Sequence, residues 1–138
     1  MRLELTKKTD LSLRAMQALC ACQSQKGDIL TGGDLSEAIG TSRQYLPQIM
    51  APLVRQRWVS STPGPGGGYR LVVELGSVSI LDLIEAVEGQ TDTETCVLSD
   101  EPCEASNPCA LHGAWAKARD ALLHELSSMS LADAWDAC

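Results

Sequence analysis

The chain has 138 residues, six of them cysteine, and a formal net charge of −7. That length suffices for one domain with a real core, or for a small domain plus an arm. No apolar run is long enough to span a membrane, and the opening Met-Arg-Leu-Glu-Leu-Thr-Lys-Lys lacks the apolar centre of a signal peptide, so a cytoplasmic protein is expected.

The charge is unevenly divided. Residues 1–70 hold nine Lys/Arg against five Asp/Glu, and residues 71–138 hold two against thirteen, giving balances of +4 and −11. A basic half that meets an anionic partner and an acidic half with a different task fit this division.

Thr6 is a candidate N-cap, and Leu13, Met16 and Cys20 follow at helical spacing to about Ser24, before a turn at Gly27-Asp28. Thr31-Gly-Gly-Asp34 has the form of a capping box. Leu35, Ala38 and Ile39 give the second helix its apolar face, and Gly40 stops it. Thr41-Ser42 then caps a third helix with Leu46, Ile49, Met50, Leu53 and Val54 at i, i+3, i+4, i+7 and i+8. Two short helices separated by Gly-Thr-Ser form a helix-turn-helix pattern. Pro47 requires this helix either to start late or to bend.

Arg43, Gln44, Tyr45 and Gln48 stand at the start of that third helix. Arg and Gln there suit hydrogen bonding to base edges in a major groove, whereas Arg55 and Arg57 near its end suit phosphates. Two β-prone runs flank Pro63 to Gly68, which predicts a hairpin directly after the helix-turn-helix, the winged version of the fold. Gly66, Gly67 and Gly68 would let the hairpin backbone approach a DNA backbone closely. The glycines lack the Lys-Ser/Thr and the following helix of a nucleotide-binding P-loop.

Ser79-Ile-Leu-Asp82 is another capping box. Ile80, Leu83, Ile84 and Val87 form the next stripe, ended by Gly89. An acidic loop runs from Gln90 to Asn107. A longer helix is expected from about Pro108 to Ser127, with Leu111, Trp115, Ala118, Leu122, Glu125 and Leu126 on its principal face. Apolar residues on such an arm call for a second copy to cover them. Ser130-Leu-Ala-Asp133 caps a short last helix through about Trp135.

Cysteines concentrate in the acidic loop. Cys96, Cys103 and Cys109 precede His112 in the spacing Cys-x6-Cys-x5-Cys-x2-His. Four such ligands so close together imply one metal centre, either a zinc ion or an iron–sulfur cluster. Asn107-Pro108 reads as an N-cap and first helical position, which would put Cys109 in the first turn, where the helix dipole favours its thiolate, and His112 on the same face. Cys20 and Cys22 are read as small core-type residues and Cys138 as a terminal residue without a ligand role. A zinc-stabilised nucleic-acid-binding module is the alternative from another class. RNA-binding fingers of that kind need basic and aromatic residues around the metal, and this loop is acidic with no aromatic residue until Trp115. No base–nucleophile pair is visible, so no enzyme is expected. The fold class is mainly α with a small β-hairpin. Residues 1–75 would form a winged helix-turn-helix DNA-binding domain, and residues 76–138 the metal-binding loop and dimerisation helices.

Over nearly its whole length the chain resembles the bacterial iron–sulfur-cluster-sensing transcription regulators. The resemblance rests on the opening Met-Arg-Leu, Ser-Arg-Gln-Tyr-Leu at 42–46, Gly64-Pro-Gly-Gly-Gly-Tyr69, the three-cysteine loop and the closing Ser-Leu-Ala-Asp. It implies a homodimeric winged-helix protein that binds an operator in double-stranded DNA, with one cluster per subunit on Cys96, Cys103 and Cys109. In an IscR-like subtype His112 would be the fourth ligand, to a 2Fe–2S cluster that reports cluster, iron or redox status. In an NsrR-like, nitric-oxide-sensing repressor subtype the fourth ligand to a 4Fe–4S cluster would be Asp10 of the partner subunit, since Thr9-Asp10-Leu-Ser-Leu-Arg14 matches that version. The chain departs from the pattern in its first cysteine gap, one residue longer than in either subtype. It also has Pro63 where many relatives carry a wing Arg, and Pro47 where IscR-like members have Glu.

Overall fold

The computed structural model describes residues 1, 3–23, 29–104 and 106–135. The expected turn at Gly27-Asp28 and the terminal Cys138 lie outside them. Helix α1 (Lys7–Gln23) starts at Thr6, whose hydroxyl accepts the Thr9 N–H at 3.3 Å. Its buried face is Leu11, Ala15, Met16, Leu19 and Cys20, with Leu13 only partly covered. The predicted stripe is therefore rotated, because α1 packs against several elements and buries a broad face rather than a narrow seam.

Helix α2 (Gly32–Ile39) is capped as expected: the Thr31 hydroxyl accepts the Asp34 N–H at 3.1 Å, and Gly40 takes a left-handed conformation with φ 74°. Leu35 and Ile39 are buried, but Ala38 is exposed and Ser36 takes the inner position. Helix α3 (Leu46–Arg55) starts later than Thr41-Ser42 implies. Ser42 instead caps a turn at residues 43–45, its hydroxyl and carbonyl both accepting the Tyr45 N–H. Pro47 thus falls in the first two helical positions, where a missing N–H costs nothing. At its other end the Trp58 N–H reaches the Leu53 carbonyl and the Arg57 N–H that of Val54, a Schellman closure with Arg57 at φ 61°.

The wing is an antiparallel pair, β1 (Val59–Thr62) and β2 (Gly68–Leu71), in register Val59↔Leu71 through Thr62↔Gly68. Leu30 adds a third, one-residue bridge through two hydrogen bonds with Tyr69, of 3.0 and 2.8 Å. Gly68, at φ 154°, makes that bridge possible, since a Cβ there would run into the Leu30 carbonyl. Helix α4 (Ile80–Glu88) has the predicted Ser79/Asp82 capping box. It starts beside α6 (Leu131–Trp135), where Ser79 and Ser130 form a bridge. Leu83 and Leu131 are fully buried in the same cluster as Met16, Leu35, Ile49 and Leu53. Helix α5 (His112–Ser128) contributes no buried residue and packs on α4. Among the described residues no helix is long and apolar enough to cross a membrane.

One contact joins the end of α4 to the start of α1. The Glu88 carboxylate accepts the Thr6 N–H at 2.8 Å and the hydroxyl of buried Thr9, and an anion at a helix N-terminus also meets the favourable end of its dipole. Burial disfavours the charged carboxylate, but the hydrogen bonds from Thr9 and Thr6 outweigh it and hold Glu88 below its ordinary pKa of 4.5. A carboxyl group depressed on folding stabilises the fold above its unfolded pKa and loses that contribution as pH falls through the folded value. Glu88→Ala should therefore cost about 1 kcal/mol or less near neutrality, solvent screening included. Urea unfolding of both proteins from pH 7 to pH 3 should show the difference shrinking with acid, and a pH-independent difference would remove the electrostatic part of the contact.

Candidate metal centre and nucleic-acid interface

The loop between α4 and α5 is folded by its own polar groups. The Asp92 carboxylate accepts the N–H groups of Glu94 (2.9 Å) and Thr95 (3.0 Å). With the Thr95 hydroxyl as the largest contributor, these bonds hold its pKa at about 2. Thr95 then pairs with Pro102, and the Cys96 N–H donates to the Glu101 carbonyl at 3.1 Å. Residues 95–102 thus turn back on themselves, and the longer first gap closes as a miniature hairpin that sets Cys96 beside Cys103. A second turn, with the His112 N–H on the Cys109 carbonyl, brings in the third cysteine.

The result is three half-buried sulfurs all within 4.8 Å of one another, Cys96 and Cys109 being 3.5 Å apart. The Leu98 N–H points at the Cys96 sulfur at 3.4 Å; this bond first, then those from the Cys103 and Cys109 thiols, brings the Cys96 pKa down to about 6. Cys103 moves the other way. The Cys109 N–H pulls its pKa down, but its bonds to the Cys96 and Cys109 sulfurs, together with burial, win and raise it. The sequence expectation for Cys109 needs correction here. Asn107-Pro108 does not open α5, which begins at His112, so Cys109 precedes the helix and the thiolate is made by a loop amide at Cys96 instead.

His112 is exposed at the edge of the cleft that the cysteines line, on one helical face with Trp115, Ala116 and Arg119. The tight group itself consists of the three thiols. Arg119 was not picked out from the sequence, although its place seven residues after His112 carries the signal. Asp10 lies in the first turn of α1, its carboxylate 2.6 Å from Lys7 Nζ and 2.9 Å from Arg14 Nε. Lys7 first and then Arg14 lower its pKa. Three soft donors, one already anionic at neutral pH, suit an iron–sulfur cluster or a zinc ion.

On the winged half, Arg43 and Gln44 are exposed in the turn ahead of α3, Gln48 is exposed on its first turns, and Arg55 and Arg57 are exposed at its end. Tyr45 is half-buried against the core. The Arg43 guanidinium lies across Gly33 at the start of α2, where any Cβ would displace it. The wing glycines divide: Gly66 is exposed at the tip, whereas Gly67 and Gly68 are pressed against the Thr62 and Leu30 carbonyls, so their lack of side chains serves the wing itself. Arg70, exposed on β2, adds a cation that the sequence analysis passed over.

In metal-free, reduced protein, Cys96 should be alkylated by iodoacetamide before Cys103 at pH 7, with its rate rising through about pH 6. Peptide mapping of brief labelling across pH reads this directly, and equal labelling of both cysteines would sink it.

Comparison with known proteins identifies the family. The Rrf2 family, described as iron-dependent transcriptional regulators, matches residues 5–137. An HTH-type transcriptional regulator named IscR from Photorhabdus laumondii is 34% identical over 129 residues, spanning 94% of this chain and 77% of that one. A regulator called ORF2 from Azotobacter vinelandii is 34% identical over 131 residues, 95% of this chain and 78% of that one. Among solved structures, CymR, the global cysteine regulator of B. subtilis, superposes with a TM-score of 0.77 at 26% identity over 99% of both chains. T. potens IscR superposes with a TM-score of 0.71 at 25% identity over 97% of this chain and 87% of that one. The chain belongs to the Rrf2 family of transcriptional regulators and is a DNA-binding winged-helix protein rather than an enzyme.

Proposed function

We propose that this regulator holds an iron–sulfur cluster on Cys96, Cys103 and Cys109, and that the state of this centre sets the affinity of a homodimer for its operator. The observation that carries the reading is the convergence of three sulfurs within 4.8 Å in a loop whose sequence separates them by six and five residues. The fourth ligand is His112, at the edge of the same cleft, or Asp10 of the partner subunit. The 2Fe–2S form accompanies the first and the 4Fe–4S form the second. Residues 1–75 read DNA: Arg43, Gln44 and Gln48 meet the groove, and Arg55 and Arg57 the phosphates. Residues 76–138 bind the cluster and pair the subunits.

The loop is connected at both ends to elements that matter for DNA. Glu88 precedes it and holds the start of α1; α5 follows it and carries the exposed apolar side chains. With the three thiols bridged, the loop keeps one shape. With them free, it rests on a few hydrogen bonds, and the spacing of two winged units becomes less defined.

The description of the family as iron-dependent supports iron as the signal. A thiol switch is the second reading, favoured by a Cys96 thiolate 3.5 Å from Cys109 and by the fold shared with a cysteine regulator. Anaerobic purification with absorption spectra and iron and sulfide analysis separates the two, followed by gel shifts of loaded and stripped protein on duplexes selected from a randomised pool. Stoichiometric iron and sulfide with different affinities for the two forms are expected. His112→Ala and Asp10→Ala then identify the fourth ligand by which one loses the cluster. Iron-free protein that resists reconstitution, with affinity that follows thiol oxidation, would replace the cluster reading.

Homodimerisation through α5 rests on a helix of 17 residues with none buried. Leu111, Leu122 and Met129 are 43%, 45% and 50% exposed and share a heptad stripe with Trp115 and Ala118. Covering the exposed part of Leu122 in two copies is worth about 2 kcal/mol. Leu122→Glu should therefore convert a dimer to monomer in sedimentation equilibrium, and an unshifted dimer would place the interface elsewhere.

A further inference from the structure

Arg119 has no role in the metal centre as described, yet it lines the same cleft as the three thiols. Its Nε is excluded from solvent and has no hydrogen-bond partner; among the described residues it is the only buried side-chain nitrogen or oxygen in that position. Guanidinium groups stay charged at any ordinary pH, so this is an unsatisfied donor on a permanent cation, a costly arrangement unless something accepts from it. Carboxylates are at hand. Glu94 lines the cleft, and the charge of Arg119 is felt at Asp92, but no ion pair joins Arg119 to either among the described residues. Helical spacing places Arg119 one turn beyond Trp115 and Ala116 and two beyond His112, all facing the cysteine loop.

We propose that Arg119 is a positioning residue for the cluster's charge: its Nε–H donates to a sulfur of the bound centre, and its cation favours the more negative redox state. The inference rests on the cluster reading above. Reduction adds one electron to an anionic group held by thiolates, and a neighbouring positive charge with a hydrogen bond to sulfur raises the potential for that step. An acidic loop around three thiolates would otherwise drive the potential down, and the remaining basic residue beyond position 71, Lys117, does not line the cleft.

The test uses full-length wild type, R119M and R119K, each reconstituted anaerobically, titrated with dithionite as the electron donor and challenged with an iron chelator. Loaded R119M should show a lower midpoint potential, by a tenfold or greater change in the reduction equilibrium, ~59 mV for one electron. It should also lose iron several-fold faster, or fail to retain it where wild type does. R119K keeps the charge without the Nε donor and should fall between the two. The iron-free proteins provide the second readout. Stripped R119M should melt no lower than stripped wild type, because the variant removes an orphaned donor. A merely structural role would shift loaded and stripped protein in the same direction. Loaded variants with wild-type potential and iron-loss rate would overturn the assignment of Arg119 alone, whereas wild-type protein that takes up no iron would overturn the cluster itself.

Discussion

Burial of one face of α1 is the constraint from which the rest of the molecule takes its arrangement. Leu11, Ala15, Met16, Leu19 and Cys20 meet α2, α3, α4 and the wing through a single cluster that also includes Leu83 and Leu131 from the C-terminal half. Each fully buried Leu or Met contributes about 2 kcal/mol relative to exposure. Polar contacts then fix the registers that apolar packing leaves loose. The Ser12 hydroxyl reaches the Ile49 carbonyl, Gln23 reaches the Leu71 carbonyl in the wing, and Glu88 holds the first turn. These contacts tie α4 and α3 to the same face of α1.

The cysteine loop obeys a different logic. Among its described residues no apolar side chain is buried, and Val97 and Leu98 stand exposed. Its shape comes from an aspartate-centred turn and a miniature hairpin, each a few hydrogen bonds strong. Such a segment sits at the low end of local stability, where cross-linking three sulfurs through one centre has the greatest effect on order. The cleft brings both signs of charge together: a Cys96 sulfur whose pKa the Leu98 amide lowers on one side and the Arg119 guanidinium on the other.

The winged half shows how local backbone geometry sorts residues of similar chemistry. Arg43 belongs to a turn before α3 and lies over Gly33, Arg55 closes the helix, and Arg57 occupies a left-handed position that glycine would fill without strain. Gly67 and Gly68, by contrast, are explained by the wing's own close backbone contacts.

Much of this was legible in the chain alone, because capping and periodicity are local properties. The Thr31 and Ser79 caps, the Gly40 and Gly89 stops, the apolar set of α3, the hairpin and the ligand-rich loop all follow from spacing within a single short stretch of chain. Pro47 left a late start and a kink equally open, and the Ser42 cap geometry decided for the late start. What remained hidden depends on contacts between residues far apart in sequence. The rotation of the α1 stripe, the Glu88–Thr9 contact across 79 positions and the orphaned Arg119 beside the thiols are of this kind. The sequence determined which elements form and which donors are available, since hydrogen bonding within a turn needs only neighbours. Tertiary packing decided which face each helix buries and which charge stands beside the sulfurs, since those depend on what arrives from elsewhere in the chain.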